Sequence, residues 1–365
     1  MRKALMVLGT LKVGGLERVA VNCVKYCASQ EIKFDFLIFD PNMGELEREV
    51  EKIGCSVIRL KHSKNPVTFY NSLCKVIIQN GPYDIIHSHI FFNSGIVMLA
   101  AKRCCVKCRI SHSHSIERHG DSKIKKYTYQ ILMRMLINKY STKICACSYA
   151  AGEYVFGKKK FDLNGIIIPN IIEPQRYAYS SEERKRIRDE FGISDSMIVM
   201  GMIGHLTSIK NPQYILQIVS ELNKEIDTVA IVVGDGPLLR ELKNQADYLH
   251  IVDKVIFTGV RDDIGAILSA MDLYVCSSLS EGFGIVLLES LANGLPYVAE
   301  KHALVKEIVA LGHVELVDGF NDIENWIRAI KTSIAEGRVY KAYASLLDSN
   351  FMPTFLEQSL KNLYM

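Results

Sequence analysis

The chain has 365 residues, 48% of them hydrophobic and 23% charged; at about 150 residues per domain this suggests roughly two folded domains with sizeable cores. Lys+Arg 44 against Asp+Glu 40 leaves +4, too small and too dispersed a charge for a dedicated nucleic-acid binder. Apolar stretches fall short of the ~20 residues that cross a bilayer, and Gly9, Thr10 and Lys12 interrupt the run behind Met1-Arg2-Lys3 with no small-residue cleavage site after it, so the expectation is a cytoplasmic chain without a signal peptide.

Residues 4–9 form a short apolar run ending in glycine. A loop over 10–15 follows, and then Leu16, Val19, Ala20, Cys23 and Val24 recur at helical spacing. This is strand, glycine loop, helix. Short apolar runs at 34–39, 57–60, 85–88, 109–113, 143–147 and 165–169 alternate with helical patterns. Such alternation predicts a parallel sheet covered on both faces. Glu173-Pro174-Gln175 breaks the series as a turn, and residues 180–191 read as a charged amphipathic helix that buries little. A second alternating series runs through 198–203, 229–233, 255–258, 273–276 and 296–299. The expected organisation is an N-terminal α/β domain over 1–175, a second over 176–345, and a C-terminal helical segment over 346–365 with a stop near residues 350–353. Ligands of doubly wound sheets bind at the carboxyl ends of the strands, so the polar residues just after each strand carry the functional reading.

Ten cysteines occur. A disulfide framework is unusual in an intracellular chain of this size. Cys104, Cys105, Cys108, Cys145 and Cys147 have in part the spacing of metal ligands, and buried reduced thiols are the plainer reading.

Ser280-Glu281-Gly282-Phe283-Gly284-Ile285-Val286-Leu287-Leu288-Glu289 follows the run 273–276 and opens a helix that ends at Asn293-Gly294, a C-cap signature. Gly282 and Gly284 let a ligand approach the backbone. The amides around Phe283 and Ile285 lie at a helix N-terminus and suit an anion. Glu281 can address a sugar and Glu289 can accept hydrogen bonds from vicinal hydroxyls. The plain alternative is a capping acid and a solvated helix residue.

The stretch resembles the paired-glutamate motif of GT-B retaining glycosyltransferases of family 4 (group 1). Other segments resemble that family in the right order. They are Gly14-Gly15-Leu16-Glu17-Arg18; Ile168-Pro169-Asn170-Ile171-Ile172-Glu173, with Ile171 and Glu173 departing; Val232-Val233-Gly234-Asp235-Gly236-Pro237; and Val255-Ile256-Phe257-Thr258-Gly259. Bacterial members that build capsular or exopolysaccharide units look most similar. The resemblance implies two Rossmann-like domains facing across a cleft, with the final helix crossing back to the first. It further implies metal-independent, retaining transfer of a hexose or N-acetylhexosamine from a nucleoside-diphosphate sugar, UDP-linked in first expectation. The acceptor is a hydroxyl of a glycan or lipid-linked oligosaccharide, and no separate cofactor is implied.

Carried over residue by residue, Gly14 and Gly15 face the donor diphosphate, although a tight turn explains the pair equally well. His114 fits the family histidine near the donor sugar, with His112 one alternation earlier; His87 and His89 repeat the pattern after the previous strand. The four histidines are also a possible metal cluster, but no D-x-D motif accompanies them. His205 and Lys210 stand where the family has arginine and lysine to clamp the diphosphate. His205 departs: arginine binds phosphate bidentately with a fixed charge, whereas histidine is charged only part of the time near neutral pH. Val260 and Arg261 follow the base-binding loop, and Arg261 either stacks on a base or pairs with Asp262 or Asp263. The stretch from Ser122 to Lys143 interleaves Lys123, Lys125, Lys126, Arg134, Lys139 and Lys143 with apolar residues. It reads either as a helix on the anionic inner face of the plasma membrane or as a core-packed helix with a solvated basic face. The rival functions are a UDP-sugar epimerase of the same fold, a non-catalytic sugar-nucleotide-binding relative, and a nicotinamide-dependent oxidoreductase. The missing G-x-G-x-x-G weighs against the last.

Overall fold

The computed structural model describes residues 1–12, 14–27, 32–61, 63, 65–114, 124–281, 283–304, 306–312 and 314–365. The chain divides into two compact units: Met1–Ile171 together with Pro353–Met365, and Ile172–Met352. The first compact unit runs to Ile171 and is rejoined by the chain at Pro353.

The first unit holds strands β1 (Arg2–Val7), β2 (Ile32–Ile38), β3 (Ser56–Arg59), β4 (Ile85–Ser88), β5 (Cys108–Ser113), β6 (Lys143–Ala146) and β7 (Gly165–Ile167). They form one sheet in the order β3-β2-β1-β4-β5-β6-β7, with parallel pairing throughout. Ala4, Leu5, Met6 and Val7 of β1 are all fully buried, as a central strand covered on both faces must be. The helix Pro353–Tyr364 contributes Leu356, Leu360, Leu363 and Tyr364 to the same core as Met6, Cys23 and Phe34. Its last carbonyls are held by cations: Arg2 Nη1 donates to Tyr364 O at 2.6 Å, and Lys143 Nζ to Asn362 O at 3.0 Å and Leu363 O at 2.8 Å. Basic groups at a helix C-terminus satisfy its orphan acceptors and oppose its dipole.

The second unit holds β8 (Ile198–Ile203), β9 (Thr228–Val233), β10 (Val255–Gly259), β11 (Leu273–Cys276), β12 (Tyr297–Glu300) and β13 (Val314–Val317). These make a parallel sheet in the order β10-β9-β8-β11-β12-β13. β13 escaped the sequence reading: it is an edge strand of four residues, VELV, with only Val317 buried. Half-covered edges carry no continuous apolar run. The fully buried Trp326 anchors this unit's core and meets Tyr214 edge-on, with ring centroids 5.4 Å apart.

The helix Ser181–Phe191 overturns its sequence reading. Its Arg188 is 1% exposed and donates to the carbonyls of Ala270, Ser194, Asp195 and Met197 and to Asp272 Oδ2 at 2.8 Å. A charged residue at an inward helical position is invisible to apolar periodicity, yet here it ties four backbone acceptors and a carboxylate together.

Candidate active site

Each sheet reverses its strand order once, between β1 and β4 and between β8 and β11. At such a switch point the loops after neighbouring strands diverge and leave room for a ligand. Of the sequence-predicted residues, Gly14 and Gly15 follow β1, His205 and Lys210 follow β8, and Glu281 follows β11.

In the second unit, residues 204–206 leave β8 and residues 234–236 leave β9. Gly204 N donates to Val233 O at 3.0 Å, Leu206 N to Asp235 O at 2.9 Å, and Gly234 N to Gly259 O at 2.8 Å. Gly234 has φ +124°, and a Cβ there would stand 2.0 Å from Gly204 O. Only glycine permits this approach of the two loops. Lys210 lies beyond the β8 loop, and its Nζ reaches both carboxylate oxygens of Glu281 at 2.6 and 2.7 Å. Glu281 belongs to the loop after β11, where Ser278 Oγ donates to its Oε1 at 2.6 Å. Its amide donates to Ala303 O at 3.1 Å. The pair is mostly enclosed, with side chains 27% and 12% exposed. Sequence reasoning picked out both residues but gave them separate partners; the structure joins them.

Gly284 caps the helix Ile285–Asn293 in the left-handed region at φ +78°. Gly294 closes the helix at φ +69°, with Leu295 N donating to Ser290 O at 2.9 Å. Ile285 is therefore the first helical residue, and its amide has no intrahelical acceptor. The Phe283 side chain is buried against Phe351, with ring centroids 5.7 Å apart. The Phe283 ring thus anchors the loop before the helix. Gly282 lies outside the described residues. Glu289 is 8% exposed, which removes the alternative of a solvated helix residue. His205 is exposed on the β8 loop and Val260 is 67% exposed.

Arg261 makes the carboxylate pairing that is one of its two sequence readings. Its Nε and Nη2 donate to Asp263 at 2.8 Å each, and Nη1 to Glu190 Oε1 at 2.6 Å; the guanidinium lies 5.8 Å from the Phe191 ring centroid. Its N–H donors thus pair with two carboxylates in the plane of the guanidinium, which is the pairing alternative for Asp263 extended to Glu190. The Arg261 hydrogen bonds bring the Asp263 carboxyl from 3.8 to about 2. A carboxylate more acidic in the folded state contributes stability above its unfolded value and loses it as pH falls through the folded one. Arg261→Ala is therefore expected to lower stability by about 1 kcal/mol at pH 6. The gap from the parent chain should close between pH 4 and pH 2, as read from urea midpoints at several pH values.

In the first unit, Gly14 is extended at φ −163° and ψ 159° and caps the helix Gly15–Lys25 behind β1. Gly15 is exposed as its first residue. Neither glycine has a left-handed backbone.

His87 and His89 come from β4 and its end; His112 and His114 come from β5 and its end. β4 pairs with β5 with His87 opposite Ile110. Period-two alternation therefore sets all four on one face of adjacent strands. The rings form a contiguous stack, with centroids 4.0 Å apart for His112–His114 and 4.2 Å for His87–His89. His87 Nδ1 bonds Tyr364 Oη at 2.8 Å and Nε2 meets His112 Nδ1 at 3.2 Å; His89 Nδ1 meets His114 Nε2 at 2.7 Å. Burial pushes His87 and His114 down to about 3 and His89 and His112 well below the ordinary value. All four imidazoles are thus neutral near pH 7. The four histidines that the sequence grouped as a possible cluster thus lie together, with His114 at the end of the array.

The cysteine cluster does not assemble: all ten thiols are free, and among the described residues none joins a possible metal-holding group. The proposed basic helix also differs. Its described portion is the helix Ile124–Tyr140. Arg134 turns inward, donating to Tyr154 O at 2.6 Å and Val155 O at 3.0 Å, and Lys143 is spent on the final helix. Lys123 and the side chains of Lys125 and Lys126 lie outside the described residues, and Lys139 is exposed, as are Tyr127, Ile131, Leu132 and Met135.

Residues 183–345 match the family model described as Glycosyl transferases group 1, and residues 13–176 match the model described as Glycosyltransferase Family 4. The chain is 27% identical to EpsF of Bacillus subtilis over 341 residues, covering 92% of this chain and 89% of that protein. It is 23% identical over 386 residues to the capsular polysaccharide biosynthesis glycosyltransferase CapH of Staphylococcus aureus, covering 100% and 99%. The solved structure of Anabaena Alr3699/HepE in complex with UDP-glucose shares the fold at a TM-score of 0.83 and 20% identity, covering 99% of both chains.

Proposed function

Since the chain belongs to the group 1 (family 4) glycosyltransferases and has their GT-B fold, we propose that it moves a hexosyl or N-acetylhexosaminyl group from a UDP-sugar to a hydroxyl of a glycan or lipid-linked oligosaccharide. The destination is cell-surface polysaccharide synthesis on the cytoplasmic side. The observation that carries this reading is the Lys210–Glu281 pair at the switch point of the second sheet, just before the helix Ile285–Asn293. The match to CapH and the UDP-glucose bound in HepE support the substrate class.

Without donor, Lys210 is neutralised by Glu281. An arriving diphosphate competes for the ammonium and takes the amides at the start of the helix Ile285–Asn293. Glu281 then turns its acceptors to the sugar hydroxyls, and Glu289 holds the ribose. In the step with retention, the bond from the anomeric carbon to the phosphate oxygen breaks on the face where the acceptor oxygen bonds. The acceptor proton passes to the departing phosphate. Lys210 stabilises the negative charge that develops on that phosphate, and catalysis is otherwise orientation. His114 positions the sugar near its reacting carbon, with Gly14 and Gly15 beside the diphosphate and His205 as a second contact to it. The apolar face of the helix Ile124–Tyr140 suits contact with a lipid-linked acceptor or the membrane that holds it. Among the described residues, no helix is long and apolar enough to cross a membrane.

Thermal unfolding in the presence of UDP, GDP and ADP tests the donor assignment. UDP at 100 times its dissociation constant should stabilise the chain by about 2.7 kcal/mol, with GDP and ADP giving less. Glu289→Ala should abolish the UDP response; an undiminished response in that variant would take the ribose from Glu289.

A further inference from the structure

The sugar-transfer reading uses one of four stacked imidazoles and leaves three unexplained. One ring nitrogen from each of His87, His89 and His112 lies within 4.8 Å of the others. All three residues are buried, at 0%, 2% and 2% exposure. His89 Nε2, His112 Nε2 and His114 Nδ1 are buried with no hydrogen-bond partner. Buried polar nitrogens are ordinarily satisfied, so three orphans in one array point to a missing partner.

We propose that His87, His89 and His112 bind one zinc-class divalent ion at the carboxyl end of β4 and β5, with Tyr364 and His114 as outer-shell supports. Nitrogens bound at about 2.0–2.1 Å in a tetrahedral set stand roughly 3.3 Å apart, and His87 Nε2 and His112 Nδ1 already stand at 3.2 Å; metal binding would move the proton they share from His112 Nδ1 to the unpartnered His112 Nε2. Ring movements of under about 1 Å close the set from its present spread. The network also sets the lone pairs. Tyr364 Oη donates to Met6 Sδ at 3.9 Å and so accepts from His87 Nδ1–H, leaving His87 Nε2 as a lone pair. His89 Nδ1 and His114 Nε2 share one proton at 2.7 Å, and in the tautomer with His89 as donor the orphaned His89 Nε2 is a lone pair. Metal-bound histidines characteristically donate their second N–H to such an outer partner. Three neutral imidazoles are a known zinc donor set that leaves the fourth position to water or an anion. Strand alternation supplies this array without a contiguous ligand motif, which is why H-x-H repeated on two strands looked inconclusive in the sequence.

The test uses the full chain without an affinity tag, stripped with a chelator and desalted. Zinc chloride is titrated with heat detection, and cobalt chloride with visible absorption. One equivalent should bind saturably at micromolar concentration or below, cobalt should give the strong visible bands of a four-coordinate site, and the unfolding temperature should rise. His89→Ala and His112→Ala should each weaken zinc at least about tenfold, no less than the loss of an outer partner costs; Tyr364→Phe should weaken it by up to about tenfold. His302→Ala disrupts the separate Glu300–His302–Asp318 group and should leave binding unchanged. Circular dichroism and cooperative unfolding check each variant, with His89→Gln and His112→Gln used if an alanine variant does not fold. No saturable binding by the parent chain, equal affinity in the folded histidine variants, or loss confined to His302→Ala would each overturn the proposal.

Discussion

Lys210→Ala is expected to reduce sugar transfer by about 10²–10³-fold, the scale on which a single preorganised charge or donor at a reacting centre acts. The loss should appear in turnover more than in UDP affinity, because helix amides and Glu289 continue to hold the nucleotide. Removing the ammonium also leaves Glu281, 12% exposed, with Ser278 Oγ as its remaining side-chain hydroxyl donor. An enclosed carboxylate stripped of its counter-charge costs about 1–3 kcal/mol, so activity must be compared where both chains are folded. Glu281→Gln separates the two roles. It keeps a group of the same shape beside Ser278, removes the charge, and should lower turnover more than UDP binding. Equal turnover in Glu281→Gln and the parent chain would remove that carboxylate from the mechanism. Unchanged turnover in folded Lys210→Ala would remove the charge-stabilising role itself.

The largest stability effect is expected at Arg188. Arg188→Leu should destabilise the second unit by about 3–5 kcal/mol, the range seen when one member of a buried ion pair is removed. Asp272 would retain Arg184 Nη2 and Val199 N, each at 2.8 Å, but the buried carbonyl of Ala270 and the part-buried carbonyls of Ser194, Asp195 and Met197 would lose a shared donor. Leucine fills the volume and satisfies none of them. The unfolding temperature should fall by roughly 10 °C, taking about 2–4 °C per kcal/mol for a unit of this size. Differential scanning calorimetry measures this directly. A fall of under about 2 °C would show that water replaces the guanidinium at little cost.

What the sequence disclosed, and what it hid, follows from which patterns are local. β4, β8 and β11 have the boundaries their apolar runs suggest, because a strand buried on both faces is a continuous hydrophobic word with polar residues at either end. The helix of Glu289 was equally plain, with Gly284 before it and Gly294 behind it. Relations across the chain were not legible. Lys210 and Glu281 are 71 residues apart, and nothing in either segment states that they meet. The four histidines showed their alternation but not the strand pairing that turns two doublets into one array. Arg188 looked like one more surface charge because a helical wheel counts an inward arginine as a defect. For Arg261 the near partner, Asp263, was legible two residues along the chain, whereas Glu190, 71 residues away, was not.

The return of the helix Pro353–Tyr364 to the first unit has a consequence for biosynthesis. Leu356, Leu360, Leu363 and Tyr364 complete a core whose other members, from Ala4 to Ile171, leave the ribosome long before them. The unit made first therefore finishes folding last. The later unit, residues 172–352, has its whole sequence available while the earlier one still waits for its closing helix. During that interval the nascent chain carries an open apolar face over β1 and β2, the stage at which chaperone capture is most useful.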